Sequence, residues 1–169
     1  SGLVAIHTSA TSLKDGECER GLTSAVKAML LPVSESIVAA DGRSKSFDAR
    51  GDGYGRSEMF GSFVLAMERE AASVIGSAVR SGGRGASLTA PSGSGLAKTI
   101  SLALTAASLT ANDVACLQPQ GLGSALADPI EVNAALTAFS AVPTPRESHL
   151  LIGCHKANMG HSEAPSGLV

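Results

Sequence analysis

The chain has 169 residues, of which 44% are hydrophobic and 17% charged. This length and composition predict one globular domain with a core and exclude an intrinsically disordered chain. Its formal net charge is −2 and its basic residues are scattered, so no basic stripe is available for nucleic acid. No apolar run approaches the roughly 18 residues that cross a bilayer, and we therefore expect no membrane span.

The first residues and the cysteines bear on the cellular compartment. The start, SGLVAIHTSATSLKDGE, has neither a Met nor the basic region of a signal peptide, and we interpret it as a cut end. Cys18, Cys116 and Cys154 are an odd number without the spacing of a disulfide framework or a zinc site. We expect reduced thiols, no metal site and an intracellular location, cytoplasmic or plastid, rather than secretion.

The N-terminal part of the sequence predicts one helix and three strands. Apolar residues recur at helical spacing over residues 1–14, and residues 20–26 suit a buried strand. Residues 31–57 are rich in Ser, Gly and Asp and predict a long loop. The apolar runs at 59–67 and 74–80 fit helix or strand by periodicity, and their short length and flanking Gly favour buried strands.

Strands and helices alternate in the rest of the chain, which predicts a mostly parallel or mixed sheet with helical cover. The predicted elements are a loop at 81–95, a helix at Gly95–Leu109, a strand at Val114–Gln118, a helix at Pro129–Phe139, a strand at Leu150–Cys154 and the opening of a further helix at 162–169. No repeat or linker defines a second domain.

Four motifs occur in a specific order. They are KSFDARGDGYGRSE at 45–58, IGSAVRSGGRGASLTAPSGS at 75–94, PQGLGSALADPIE at 119–131 and GCHKANMGHSEAPSGLV at 153–169. Together they resemble the β-ketoacyl synthase (ketosynthase) family, most closely the ketosynthase domains of modular polyketide synthases. The last two motifs are similar to the family's histidine motifs, HGTGT followed by DPIE, and KxNxGHxExAxG.

The resemblance implies a thiolase-like α/β fold, layered α-β-α-β-α and present only in part. Residues 1–75 would be the end of its N-terminal half and residues 76–169 the start of its C-terminal half. The family's nucleophilic cysteine would lie just before Ser1.

The family's chemistry implies a decarboxylative Claisen condensation of acyl and malonyl-type thioesters in polyketide or fatty acid biosynthesis. No cofactor would bind directly, because the substrates are carried on the phosphopantetheine of an acyl carrier protein. Partners would be that carrier protein and neighbouring synthase domains, with a homodimer in the full-length form.

The resemblance also implies the roles of individual residues. His161 matches the second histidine and Lys156 the motif's lysine, which would tune the charge of the site. Asn158 and Ser124 fall at substrate-binding positions, and Gln120 occupies the place of the first histidine. Two alternatives stay open: a histidine at a helix N-terminus without a role, and a solvated surface lysine.

Gln120 decides between the functional hypotheses. A glutamine amide can donate a hydrogen bond but cannot exchange a proton near neutral pH, as histidine can. The sequence therefore predicts a weakened condensing enzyme. The alternatives are a degenerate ketosynthase that acts as a scaffold or passes an acyl chain unextended, and a truncated product without activity.

Two further departures leave questions open. Ser57 and Met59 stand where the family tends to have glycine, so that Met59 would either crowd the site or be accommodated by repacking. Cys154 lies near Lys156 and is a candidate replacement nucleophile, but it follows an apolar strand rather than opening a helix.

Overall fold

The computed structural model describes residues 2–30, 37–68, 72–83, 85, 87, 90–141, 146 and 148–168. Helices and strands are mixed along this part of the chain. In order they are α1 (Gly2–Lys14), β1 (Arg20–Lys27), β2 (Met59–Ala66), α2 (Gly93–Ala107), a 3-10 turn (Ala111–Asp113), β3 (Cys116–Leu117), α3 (Ala127–Ser140), β4 (Leu151–Ile152), α4 (Lys156–Met159) and a second 3-10 turn (Ala164–Gly167).

The strands β1 and β2 form an antiparallel ribbon. Thr23 pairs with Phe63, and Ser24 pairs with Ser62. Because side chains alternate between the two faces of a strand, Thr23 is buried on the face toward α1, with 3% of its surface exposed. The opposite face carries exposed apolar side chains, namely Leu22, Val26, Phe60 and Val64. The strands predicted at 20–26 and 59–67 therefore form, but the prediction that they are buried is wrong for this face.

The strands β3 and β4 form a parallel pair, with Cys116 opposite Leu151. The helices α2 and α3 pack against each other beside this pair. The buried cluster there joins Ala111, Ala135 and Phe139, with Ile100, Leu104, Val114, Leu117 and Leu150 packed around it. This core carries the turn that leaves β3 and the turn that leaves β4, which are the segments that form the site.

Most predicted elements are present, and their ends shift by a few residues. The helix predicted to begin at Gly95 begins at Gly93, because the side chain of Ser92 caps it by accepting the N–H of Gly95. None of the described helices is long and apolar enough to span a bilayer. Parts of two predicted loops (31–36 and residues 84, 86, 88 and 89) and the terminal residues 1 and 169 lie outside the described residues.

Three predictions about secondary structure are wrong. Residues 74–80 belong to no strand in the part of the chain that the structure describes. This segment lies against α2 instead, so close that a Cβ on Gly76 would be 2.6 Å from the backbone N of Ala107. The described strands form two separate pairs rather than one sheet. The helix expected at 162–169 is a single 3-10 turn, with Pro165 near its start.

Candidate functional site

His161 is held at the junction of two loops. Its backbone N–H donates to the carbonyl of Gly55 at 2.7 Å, and its carbonyl accepts the N–H of Ser57 at 3.1 Å. The ring lies 4.8 Å from the ring of buried Tyr54, centroid to centroid. These contacts leave 8% of His161 exposed and fix the position of the imidazole.

His161 follows the short helix α4 and the glycine that ends it. Gly160 ends that helix at φ 77°, a left-handed conformation that glycine adopts without steric cost. A Cβ at Gly160 would also lie 3.0 Å from the carbonyl oxygen of Gly55. Glycine is therefore required for His161 to reach its partners.

The tautomer of His161 follows from its hydrogen bonds. The backbone N–H of Glu163 donates to Nδ1 of the ring at 2.9 Å. A ring nitrogen that accepts a hydrogen bond carries no proton, so the neutral imidazole holds its proton on Nε2. His161 therefore presents an N–H donor at Nε2.

The side chain of Gln120 meets this donor. Nε2 of Gln120 lies 2.9 Å from Nε2 of His161. Two N–H groups cannot bond each other, and the amide orientation that satisfies both residues turns the Gln120 oxygen toward the ring. The amide NH2 of Gln120 then remains available as a second donor beside His161.

Two carboxylates hold the turn that carries Gln120. Glu131, in the first turns of α3, accepts the N–H of Gln120 at 2.5 Å and that of Gly121 at 2.8 Å. Asp128 is buried and accepts the N–H groups of Phe47, Gly123 and Ser124 at 2.9, 3.1 and 3.2 Å. Together these bonds place the Gln120 side chain toward His161.

Lys156 is buried next to this turn, with 3% of its surface exposed. Burial lowers the pKa of its ammonium, and the nearby Cys154 and Glu131 oppose that shift only in part. Burial also lowers the pKa of His161, and the charge of Lys156 lowers it further. Both effects favour the neutral imidazole at neutral pH.

Ser124 and Asn158 have different surroundings. The hydroxyl of Ser124 accepts the N–H groups of Leu126 and Ala127 at 3.3 and 3.2 Å, so it caps the start of α3. Asn158 lies on the exposed side of α4. The structure therefore brings Gln120 and His161 into contact and connects Ser124 to the same turn through its backbone.

Met59 is accommodated in the structure, and its Sδ accepts the hydroxyl of Ser162 at 3.6 Å. The thiol of Cys154 points at the carbonyl oxygens of Pro119, Gln120 and Gly121, at 4.0, 3.7 and 3.6 Å. Carbonyl oxygens can accept a hydrogen bond from the S–H group but cannot donate one to a thiolate. These surroundings therefore favour a protonated, structural thiol over a nucleophile.

Sequence reasoning did not single out Tyr54, Asp128 and Glu131 as parts of the site. Asp128 and Glu131 follow a Gly-rich turn at the start of a predicted helix, where carboxylates often accept backbone N–H groups, and this signal was available. Tyr54 carried no such signal, because its contact with His161 joins residues that are distant in the sequence.

Comparison with known proteins places this geometry in a family. The family model "Beta-ketoacyl synthase, C-terminal domain" matches residues 71–169, and the model of the N-terminal domain matches residues 1–71. Polyketide synthase ThaG of Burkholderia thailandensis is 37% identical over 188 residues, which cover 100% of this chain and 3% of that protein. A phenolphthiocerol synthesis polyketide synthase of Mycobacterium bovis is 39% identical over 182 residues, covering 99% and 9%.

Solved structures agree with this assignment. The oxazolomycin ketosynthase domain OzmH KS7 of Streptomyces albus superposes with a TM-score of 0.93 at 29% identity, covering 99% of this chain and 31% of that one. A ketosynthase from module 6 of the Bacillus subtilis bacillaene synthase superposes with a TM-score of 0.92 at 26% identity, covering 99% and 32%. The chain thus spans less than a third of these solved chains and less than a tenth of the two curated relatives.

These neighbours confirm the predicted fold class, a thiolase-like α/β fold present in part. The chain belongs to the β-ketoacyl synthase family.

Proposed function

We propose that the chain is part of a ketosynthase that catalyses decarboxylative condensation of acyl and malonyl-type thioesters, and that Gln120 lowers its rate. The observation that carries this proposal is the contact of 2.9 Å between the side chains of Gln120 and His161, beside buried Lys156. Two residues that are 41 positions apart meet where the family's two histidine motifs would meet.

In the proposed reaction, the bond between the malonyl carboxylate and its neighbouring carbon breaks and carbon dioxide leaves. The electron pair forms an enolate, whose oxygen accepts hydrogen bonds from Nε2–H of His161 and from the amide of Gln120. The enolate carbon then attacks the acyl group on the family's nucleophilic cysteine, which leaves as a thiolate. Asn158 and Ser124 are proposed to contribute to substrate binding, Ser124 through the turn that it caps.

The carriers, partners and boundaries follow from the family. We propose that the acyl groups arrive on the phosphopantetheine of an acyl carrier protein, that neighbouring synthase domains and a second copy are partners, and that the location is intracellular. We also propose that residues 1–75 end the N-terminal half of the domain and residues 76–169 start the C-terminal half. The family models that meet at residue 71 support this division.

A second candidate function is favoured by Gln120 itself. The amide has no proton to exchange near neutral pH, and its oxygen already accepts the donor of His161. We therefore propose, as the alternative, that a ketosynthase with this pair serves as a scaffold or passes an acyl chain unextended.

Release of carbon dioxide from malonyl-acyl carrier protein distinguishes the two candidates, because it requires enolate stabilisation but no nucleophilic cysteine. For a condensing enzyme we expect slow release by the chain, loss of release in His161→Ala, and an increase of about a hundredfold or more in Gln120→His. A scaffold would give no release in the wild type and no gain in Gln120→His. A chimera that places this chain in the Streptomyces albus domain would then test the full condensation.

A further inference from the structure

An ion pair links the end of the β1–β2 ribbon to the loop that follows His161. Lys27 is the last residue of β1, and its Nζ lies 2.5 Å from Oε1 of Glu163. The two side chains are 19% and 40% exposed, so the lysine is largely shielded from water. The residues are 136 positions apart, and no local pattern explains their meeting.

The backbone of Glu163 has an unfavourable conformation. Its φ is 53° and its ψ is −105°, a combination that non-glycine residues avoid and that persists only where the surroundings impose it. In this conformation its N–H points at Nδ1 of His161, at 2.9 Å. The same residue therefore carries both the strained backbone and the hydrogen bond that sets the tautomer of the ring.

We propose that Lys27 is a positioning residue for His161: by holding the carboxylate of Glu163, it keeps the Glu163 N–H on Nδ1 and thereby keeps the ring proton on Nε2. Without this anchor the backbone of Glu163 would relax toward an ordinary conformation and release Nδ1. The inference deepens the proposed function and rests on it for its catalytic meaning.

The neighbouring contacts explain why the anchor acts on this residue. Met59, the ladder partner of Lys27, contacts Ser162. The backbone N–H of Ser162 donates to the hydroxyl of Ser166 at 2.8 Å, so Ser162 is held independently of Lys27. Between the fixed residues His161 and Ser162 and the 3-10 turn that follows, Glu163 is the position at which the strain is concentrated.

Several charged groups act on the ring and on its neighbour. Burial lowers the pKa of His161 most, Lys156 and His155 lower it further, and Glu163 raises it. The pKa of Glu163 is lowered mainly by its bond to Lys27, with a smaller effect of Arg56. Removal of Lys27 should therefore raise the pKa of His161, because Nδ1 loses a donor that opposes its protonation and the charge of Glu163 is no longer neutralised.

The experiment compares Lys27→Gln with two controls, Lys27→Arg, which keeps the charge, and Lys14→Gln, which removes an exposed lysine at the end of α1. Nitrogen NMR of the chain labelled at its four histidines reports the tautomer and the pKa of His161 directly. Release of carbon dioxide from malonyl-acyl carrier protein is measured in parallel.

In Lys27→Gln we expect a mixed tautomer, a raised pKa of His161 and a loss of about three- to tenfold in release near pH 7. Lys27→Arg should retain the wild-type signals, and Lys14→Gln should change nothing. High salt, which screens partly exposed pairs, should shift the wild type in the same direction as Lys27→Gln without any substitution.

An unchanged tautomer and pKa of His161 in Lys27→Gln would overturn the inference, as would equal effects of Lys27→Gln and Lys14→Gln. Failure of the proposed function looks different. In that case no variant releases carbon dioxide, including Gln120→His, while the NMR signals of His161 still respond to Lys27.

Discussion

Replacement of Lys156 by Met should stabilise the fold and impair the site at the same time. Lys156 is 3% exposed, and its ammonium forms none of the ion pairs found among the described residues. The nearby carboxylate of Glu131 is already bonded to two backbone N–H groups. A buried charge without a close partner costs free energy, and a hydrophobic residue of similar volume is expected to add about 1–4 kcal/mol to the free energy of unfolding.

Chemical denaturation and thermal melting measure this gain, with a rise of about 2–4 °C in Tm for each kcal/mol in a chain of this size. The dependence on pH identifies its cause. The pKa of Lys156 is lowered below 10.5 in the fold, so the wild type gains stability as pH rises from that lowered value to 10.5. The advantage of Lys156→Met should therefore shrink over this range, whereas release of carbon dioxide should be lower than in the wild type at neutral pH.

Two results would contradict this prediction: a Lys156→Met variant that is less stable than the wild type, or an advantage in stability that stays constant as the pH approaches 10.5. Lys156→Arg is the matched control, because it keeps a charge at the position. A buried guanidinium remains protonated throughout this range, and the variant should show no gain of stability with rising pH.

Three further predictions concern the same site. Gly121→Ala places a Cβ 2.7 Å from Sγ of Cys154 at a φ of 49°, so it should lower the free energy of unfolding by about 1–3 kcal/mol. The double variant with Cys154→Ala should recover the part of this loss that comes from the clash with Sγ. If the losses of the two single variants simply added in the double variant, this explanation would be contradicted. Glu131→Gln should lower the free energy of unfolding by about 1.5–3 kcal/mol, since it weakens the hydrogen bonds from the N–H groups of Gln120 and Gly121. An unchanged midpoint of denaturant unfolding would count against a structural role of Glu131. The pKa of His161 is lowered in the fold, so the free energy of unfolding should fall as the pH drops from 6.5 toward that lowered value. His161→Gln should lack this fall. A constant difference in stability between the wild type and His161→Gln from pH 7 to 5 would show that His161 is not its cause.

The sequence predicted the parts of the fold that depend on local pattern. Helical spacing at residues 1–14 and the Ser-Gly turn before α2 are local signals, and the helices form there. The strand predicted at 74–80 does not form, and this has a physical reason. An apolar run becomes a strand only where a neighbouring strand has a free edge, and this run instead lies against α2. Whether an apolar segment forms a strand therefore depends on an available neighbouring strand as well as on its own sequence.

The same limit applies to the site. The motif around His161 indicated which ring takes part. The proton on Nε2, however, depends on the backbone angle of Glu163 and on Lys27, which is 136 positions from Glu163. The carboxylates in the first turns of α3 could have been recognised as acceptors of backbone N–H groups from the preceding turn. The contact of Tyr54 with His161 could not, since the motif at 45–58 marks the loop but does not say which distant residue its tyrosine meets.

The structure gives the substitution at residue 120 a more specific meaning than the loss of a base. A histidine there would bring a second ring N–H toward His161, and the two donors would both await an oxygen of the substrate. The Gln120 amide instead offers an acceptor to Nε2–H of His161, so the pair is satisfied before any substrate arrives. An enolate must compete with that internal bond for the proton of His161, and the amide compensates only by turning its NH2 group toward the same oxygen. The defect therefore lies in the hydrogen bonds of the ground state as well as in proton exchange. Gln120→Ala removes one donor but also frees the Nε2–H of His161, so it should lose less activity than the removal of a group that only donates to the oxyanion would.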